Sequence, residues 1–334
     1  MEQSPLQPTP VGAFRFNTDS AKMEYYDGNQ WVNISSDSPE VQTGGTRGIS
    51  FKGNAPSNST VIDYIAVETT GNAVDFGDKT SGREGAALGN RTRAVHHVGF
   101  QSPSPGAYVD TMEYVTVSST GNTTDFGNST DGTIGAQGTM ANSTRGIWAG
   151  GYYNINTIDY ITIAQTGNAV DFGDLSIKQR YMGCCASPTR GILSAGVKFP
   201  GFHRQIDYLT ISTKGNTAVF GDLVDDHEHY FGGSNATRGV FMAGQNDAPA
   251  AMNIIEYVTI ATLGNAIDFG DTSVTDYPNG TATSRTRAVN MGYNSSNTMD
   301  YVQIPTTGNA VDFGNATESG RGGGSASNGH GGLG

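Results

Sequence analysis

Ile158 to Asp174, IDYITIAQTGNAVDFGD, decides the fold, because the chain carries it six times. Close copies start at Ile62, Met112, Ile206, Ile255 and Met299. The glycine of the central Gly-Asn pair falls at Gly71, Gly121, Gly167, Gly215, Gly264 and Gly308, in steps of 50, 46, 48, 49 and 44 residues. A second marker, Thr-Arg followed by Gly or Ala, precedes each copy at Arg47, Arg93, Arg145, Arg190, Arg238 and Arg287. Two markers keeping one rhythm rule out chance, and a fixed period is read before any local feature.

Within one unit, β-branched and aromatic residues make IDYITI a strand. Gly167-Asn168 supplies the positive φ of a tight turn, and NAVDF returns as a second strand. Upstream, TRGIWAGG (144–151) reads as a third strand. A fourth is built from small residues: EGAALGN (84–90), TIGAQGT (133–139), YMGCCAS (181–187), YFGGSNA (230–236) and NGTATSR (279–285). Four strands per unit and a period in the high forties predict an all-β, six-bladed β-propeller. Small residues suit the innermost strands, which crowd an axis, and the middle strands should be apolar on both faces.

The first unit starts at Thr46 without a small strand, and the last is followed by a surplus one, GRGGGSASN (320–328). The C-terminus is therefore expected to supply the inner strand of the first blade and close the ring. Residues 43–334 form the propeller in this reading. Residues 1–42 form a separate attachment or oligomerisation segment. Within it, Phe14 and Phe16, Met23 and Tyr25, and Trp31-Val32 after the Asp27-Gly28 turn predict a three-stranded meander, too small to bury a core alone.

Net charge −12 and few clustered cations argue against a nucleic-acid partner. No apolar signal segment or run of about 18 apolar residues occurs, so no membrane insertion is expected. Adjacent Cys184 and Cys185 point to opposite strand faces and read as small buried thiols.

The string GAFRFNTDSAKMEYYDGNQWVNI (12–34) resembles a segment common in virion proteins of tailed bacteriophages, in tail fibres and related appendages. The repeats are similar to kelch-type blades, with Phe76, Phe126, Phe172, Phe220, Phe269 and Phe313 where the kelch tryptophan would stand. They also look like repeats of cyanophage structural proteins. These resemblances imply a virion protein of a tail or surface appendage, joined to other virion proteins through residues 1–42, with homo-oligomerisation open.

The motifs that could carry chemistry repeat in every unit. DFG recurs at Asp75, Asp125, Asp171, Asp268 and Asp312, with VFG at Val219. A kinase reading needs a Gly-rich loop and a catalytic loop that are missing. The expectation is Phe between blades and Asp capping turn amides. An acid precedes tyrosine at Asp63, Glu113, Asp159, Asp207, Glu256 and Asp300. With the DFG aspartates these would share one rim, where turn capping is preferred to calcium. The six Thr-Arg arginines should donate to turn carbonyls of their own or the next blade rather than hold an anion. His227 and His229 in DDHEH (225–229) share a strand face but read as a solvated linker. No metal, cofactor or catalytic set is expected, and the chain is read as a non-enzyme.

Binding is expected where the units differ, on the loops joining the second and third strands. Phe100, Tyr108, Tyr152, Tyr153, Phe199, Phe202 and Tyr293 lie there beside amides, the chemistry that holds sugars. The leading expectation is an adhesive head for a host-surface glycan. A purely architectural role in capsid decoration or a baseplate, and a polysaccharide-degrading enzyme, are the alternatives.

Overall fold

The computed structural model describes residues 9–18, 22–33, 46–54, 58–101, 106–131, 138–153, 155–198, 201–228, 231–246 and 250–329. The chain divides into two compact units, 1–41 and 42–334. Both are all-β, with no helix among the described residues.

The first unit is an antiparallel sheet of Phe14–Asn17, Lys22–Tyr26 and Trp31–Asn33. Asp27 Oδ1 accepts the amides of Asn29 and Gln30, and Gly28 has φ +103°, so the Asp-Gly turn sets the second hairpin. One face is tied down: Arg15 and Asn17 donate to Glu24, and Arg15 lies 4.2 Å over Trp31. The other face carries Phe14, Phe16, Met23 and Tyr25, all exposed.

The second unit holds six antiparallel sheets. Sheet 3 is representative: Gly138–Ala141, Arg145–Ala149, Thr157–Thr162 and Val170–Asp174, in that order. Sheet 2 starts at Ala86–Gly89, sheet 4 at Cys184–Ala186, sheet 5 at Phe231–Ser234 and sheet 6 at Thr281–Thr283. The inner strand of sheet 3 lies later than its expected place at 133–139, of which 133–137 fall outside the described residues.

Sheet 1 is assembled from both ends of this unit. Ser325–Ser327 pairs with Arg47–Phe51, Ser325 opposite Ser50 and Ala326 opposite Ile49. Ser59–Ala66 and Val74–Arg83 follow. A hairpin of Phe100–Gln101 and Ala107–Tyr108, from the loop of the next unit, adds two strands against Gly82 and Arg83.

The second strands are buried on both faces, as in Arg145–Ala149, where only Arg145 is partly exposed. That follows from packing each sheet between two others. The cores lie in the seams. Phe172, Ile147 and Ile158 of sheet 3 pack with Leu193, Leu209 and Ile211 of sheet 4. Phe313 and Val289 of sheet 6 pack with Ile65 and Val67 of sheet 1. Every DFG or VFG phenylalanine is no more than 3% exposed and sits in such a seam. Cys184 and Cys185 are buried free thiols on opposite faces of one strand, in the seam clusters on either side of sheet 4, where burial pushes both thiols up.

Candidate functional site

The repeated polar residues stitch the seams. Each marker arginine donates Nη1 to a carbonyl of the following sheet: Arg47 to Val117 (2.8 Å), Arg93 to Ile163 (3.1 Å), Arg145 to Ile211 (2.7 Å), Arg190 to Ile260 (2.8 Å) and Arg238 to Ile304 (3.0 Å). Arg287 of the sixth sheet donates to Val67 of the first at 3.3 Å, so the series returns to its start. Each guanidinium also lies 4.3–4.8 Å over the tyrosine of its own third strand. Each of these six arginines thus joins a carbonyl of the next sheet and a ring of its own, the carbonyl-donating role expected of them.

The acids before those tyrosines are buried and cap amides and hydroxyls of the preceding sheet, the turn-capping role expected of them. Asp63 accepts Thr317 N and Oγ1, Asp159 accepts Thr130 N and Oγ1, and Asp300 accepts Ser273 N and Oγ. Glu113 accepts Thr80 N, Asp207 accepts Ser176 Oγ, and Glu256 accepts Val224 N. Each carboxylate thus caps the segment leaving the preceding sheet. The DFG aspartates, by contrast, are exposed on the outer strands, and Asp75 sits directly opposite Asp63 in register. The two sets of carboxylates are cross-strand partners, Asp159 opposite Asp171 and Asp300 opposite Asp312 as well, and no group of three metal-ligating side chains occurs among the described residues. His227 is buried against Glu256 at 3.0 Å, not in a solvated linker, while His229 lies outside the described residues.

The glycine of each Gly-Asn pair is likewise an inter-sheet contact. Gly167 N donates to Phe126 O, and Asn168 Oδ1 accepts Asn128 N. A Cβ on Gly127 would collide with Gly167 O, which explains the glycine of DFG.

The residues that differ between units gather elsewhere. Tyr108 packs edge-on against Phe100 at 5.2 Å, stacks on Tyr152 at 4.9 Å and meets Tyr153 at 5.7 Å. Tyr152 and Tyr153 are 5.5 Å apart and nearly perpendicular. Four of the seven expected rim aromatics therefore form one cluster. Phe202 is half-buried apart from it, and Phe199 lies outside the described residues. Tyr293 does not belong to a binding rim: it is fully buried, donating to Asp300 at 2.8 Å and accepting from Asn290 at 3.0 Å. Its loop folds inward because this hydroxyl finds buried partners.

Three partners of the cluster were not singled out from sequence. Tyr108 OH donates to Glu84; burial and that carboxylate push the phenol well above its ordinary range. Arg180 lies 4.5 Å over Tyr152 and donates Nη1 to Tyr152 O at 3.0 Å. Tyr181, 5.3 Å below the same guanidinium, is pushed up by burial and by the negative charge of Glu84 and Glu228. Glu84 and Tyr181 both have φ +56°, a conformation L residues seldom adopt. Their only sequence signal was position, each immediately preceding a small inner strand.

Beside this cluster the inner strands line a narrow cavity of about 80 Å³, faced by Ala87, Thr139, Cys184, Ser234, Thr283 and Ser327, among others. It offers hydroxyls and methyls but no charge. No helix among the described residues is long and apolar enough to cross a membrane. The chain matches no protein-family model, and a search of curated proteins finds no relative for it.

Proposed function

We propose that residues 43–334 form a six-bladed, kelch-like β-propeller that serves as the glycan-binding head of a phage virion appendage. The seam contacts that run from each sheet to the next, and from the sixth to the first, support the propeller. So does the pairing of Ser325–Ser327 with Arg47–Phe51. The virion reading rests on the likeness of residues 12–34 and of the repeats to tailed-phage proteins. In it, residues 1–42 attach the head to other virion proteins, and the exposed Phe14, Phe16, Met23 and Tyr25 are the surface for that contact.

The observation that carries the binding function is the aromatic cluster of Phe100, Tyr108, Tyr152 and Tyr153, which has no counterpart in another unit among the described residues. Aromatic faces beside charged hydrogen-bonding groups hold saccharides. The purely architectural alternative is favoured by one fact: these rings stack on one another. Glycan-array binding of the full chain tests the proposal. Binding that falls with Tyr152→Ala supports a glycan head, and a blank array favours the architectural role. Shortening of a polysaccharide on incubation would instead make the head an enzyme.

A further inference from the structure

Resting on the glycan-binding reading, we infer that the cluster takes a neutral saccharide, with one sugar ring on Tyr153 and its hydroxyls read by Glu84 and Arg180. The first observation is backbone strain. Glu84, Tyr181 and Gly322 occupy equivalent positions, six residues before Asn90, Ser187 and Asn328 at the ends of their inner strands. All three are left-handed, with φ of +56°, +56° and +63°. Glycine meets this geometry without cost, yet two of the positions hold side chains that must strain to adopt it. Retained strain of this kind collects where a side chain has to be aimed.

The second observation is the set of free valences around Tyr153. Its side chain is 61% exposed and held by two near-perpendicular neighbours, so the ring is fixed while much of it meets solvent. Glu84 Oε2 is locked by the Tyr108 hydroxyl, whereas among the described residues Oε1 has only Arg83 Nε at 4.0 Å, beyond hydrogen-bond distance. Arg180 is held flat over Tyr152 by its stack and one Nη1 bond, and no carboxylate lies within 4.0 Å of it among the described residues. A fixed acceptor, a fixed donor and an aromatic platform match neighbouring hydroxyls on a pyranose.

Charge selects the neutral class. A uronate or sialate would bring a carboxylate beside Glu84 into a chain of net charge −12. A cationic sugar would face Arg83 and Arg180 instead. Hydroxyls, which donate to Glu84 and accept from Arg180 at once, meet neither repulsion.

The full chain is titrated with neutral polymers (dextran, mannan, galactan) and acidic ones (polygalacturonate, hyaluronate). Binding to a neutral polymer is expected, with Tyr153→Ala and Glu84→Gln each weakening it about tenfold or more. Both variants should keep the parent melting temperature within a few degrees, which separates lost binding from lost fold. Binding confined to acidic polymers overturns the neutral class but leaves a glycan head. Neutral binding untouched by both substitutions overturns this site. No binding to any saccharide sinks the glycan head itself.

Discussion

The seams and the rim cluster are built from the same residue types and use them to opposite ends. In the seams, Arg145 lies 4.4 Å over Tyr160 and gives Nη1 to Ile211 O of the next sheet. On the rim, Arg180 lies 4.5 Å over Tyr152 and gives Nη1 to the carbonyl of that same tyrosine. The seam arginine joins two sheets; the rim arginine fixes one ring. Seam acids are buried and donor-capped, as at Asp159, whereas among the described residues Glu84 keeps one oxygen without a hydrogen bond. A pattern repeated six times belongs to assembly, and the same chemistry used once is available for binding.

Substitutions should separate the two regions, beginning with the largest effect. Phe172→Ala empties a seam at 2% exposure and should cost about 4 kcal/mol in denaturant unfolding, without a specific effect on saccharide affinity. A seam charge comes next. Burial pushes Lys79 down to about 8, against partial compensation from Glu113 and Glu318. Between that value and the ordinary 10.5, the folded state holds fewer protons than the unfolded chain, so stability should rise with pH across this window. Lys79→Met should abolish that rise, a difference of about 3 kcal/mol between the two ends of the window. Arg145→Ala loses one charge-assisted bond and one ring contact and should cost about 2 kcal/mol. Tyr153→Ala is the smallest in stability, under about 0.5 kcal/mol, while weakening saccharide binding about tenfold or more. If Arg145→Ala and Tyr153→Ala affected stability and binding alike, the distinction between seam and rim would fail.

What was legible from sequence follows the same division. Strand identity, the phenylalanines between sheets and the arginine-to-carbonyl bonds were readable, because six copies average away local noise. The surplus GRGGGSASN strand was readable because its absence at the start of the repeats was visible. That the acids cap turns was readable, but not which segment each one caps. IDYITI shows where Asp159 sits in a strand but not that Thr130, on the preceding sheet, lies within reach of it. Tyr293 looked like an exposed loop aromatic because nothing local reveals that Asn290 and Asp300 meet its hydroxyl. Glu84, Arg180 and Tyr181 were missed for a related reason: left-handed backbone and cross-unit stacking leave no mark on composition.

The return of the chain to its own beginning is tested most directly at Ser50 and Ser325. They face each other at a non-hydrogen-bonded position, since Phe51 N bonds Gly324 O and Asn328 N bonds Arg47 O on either side. Cα atoms at such positions lie about 4.5 Å apart, within disulfide range. On mild oxidation, Ser50→Cys with Ser325→Cys should form an intramolecular cross-link in nearly every molecule and raise the melting temperature. Two thiols that stay titratable in the folded protein, or that link only between chains, would contradict the account.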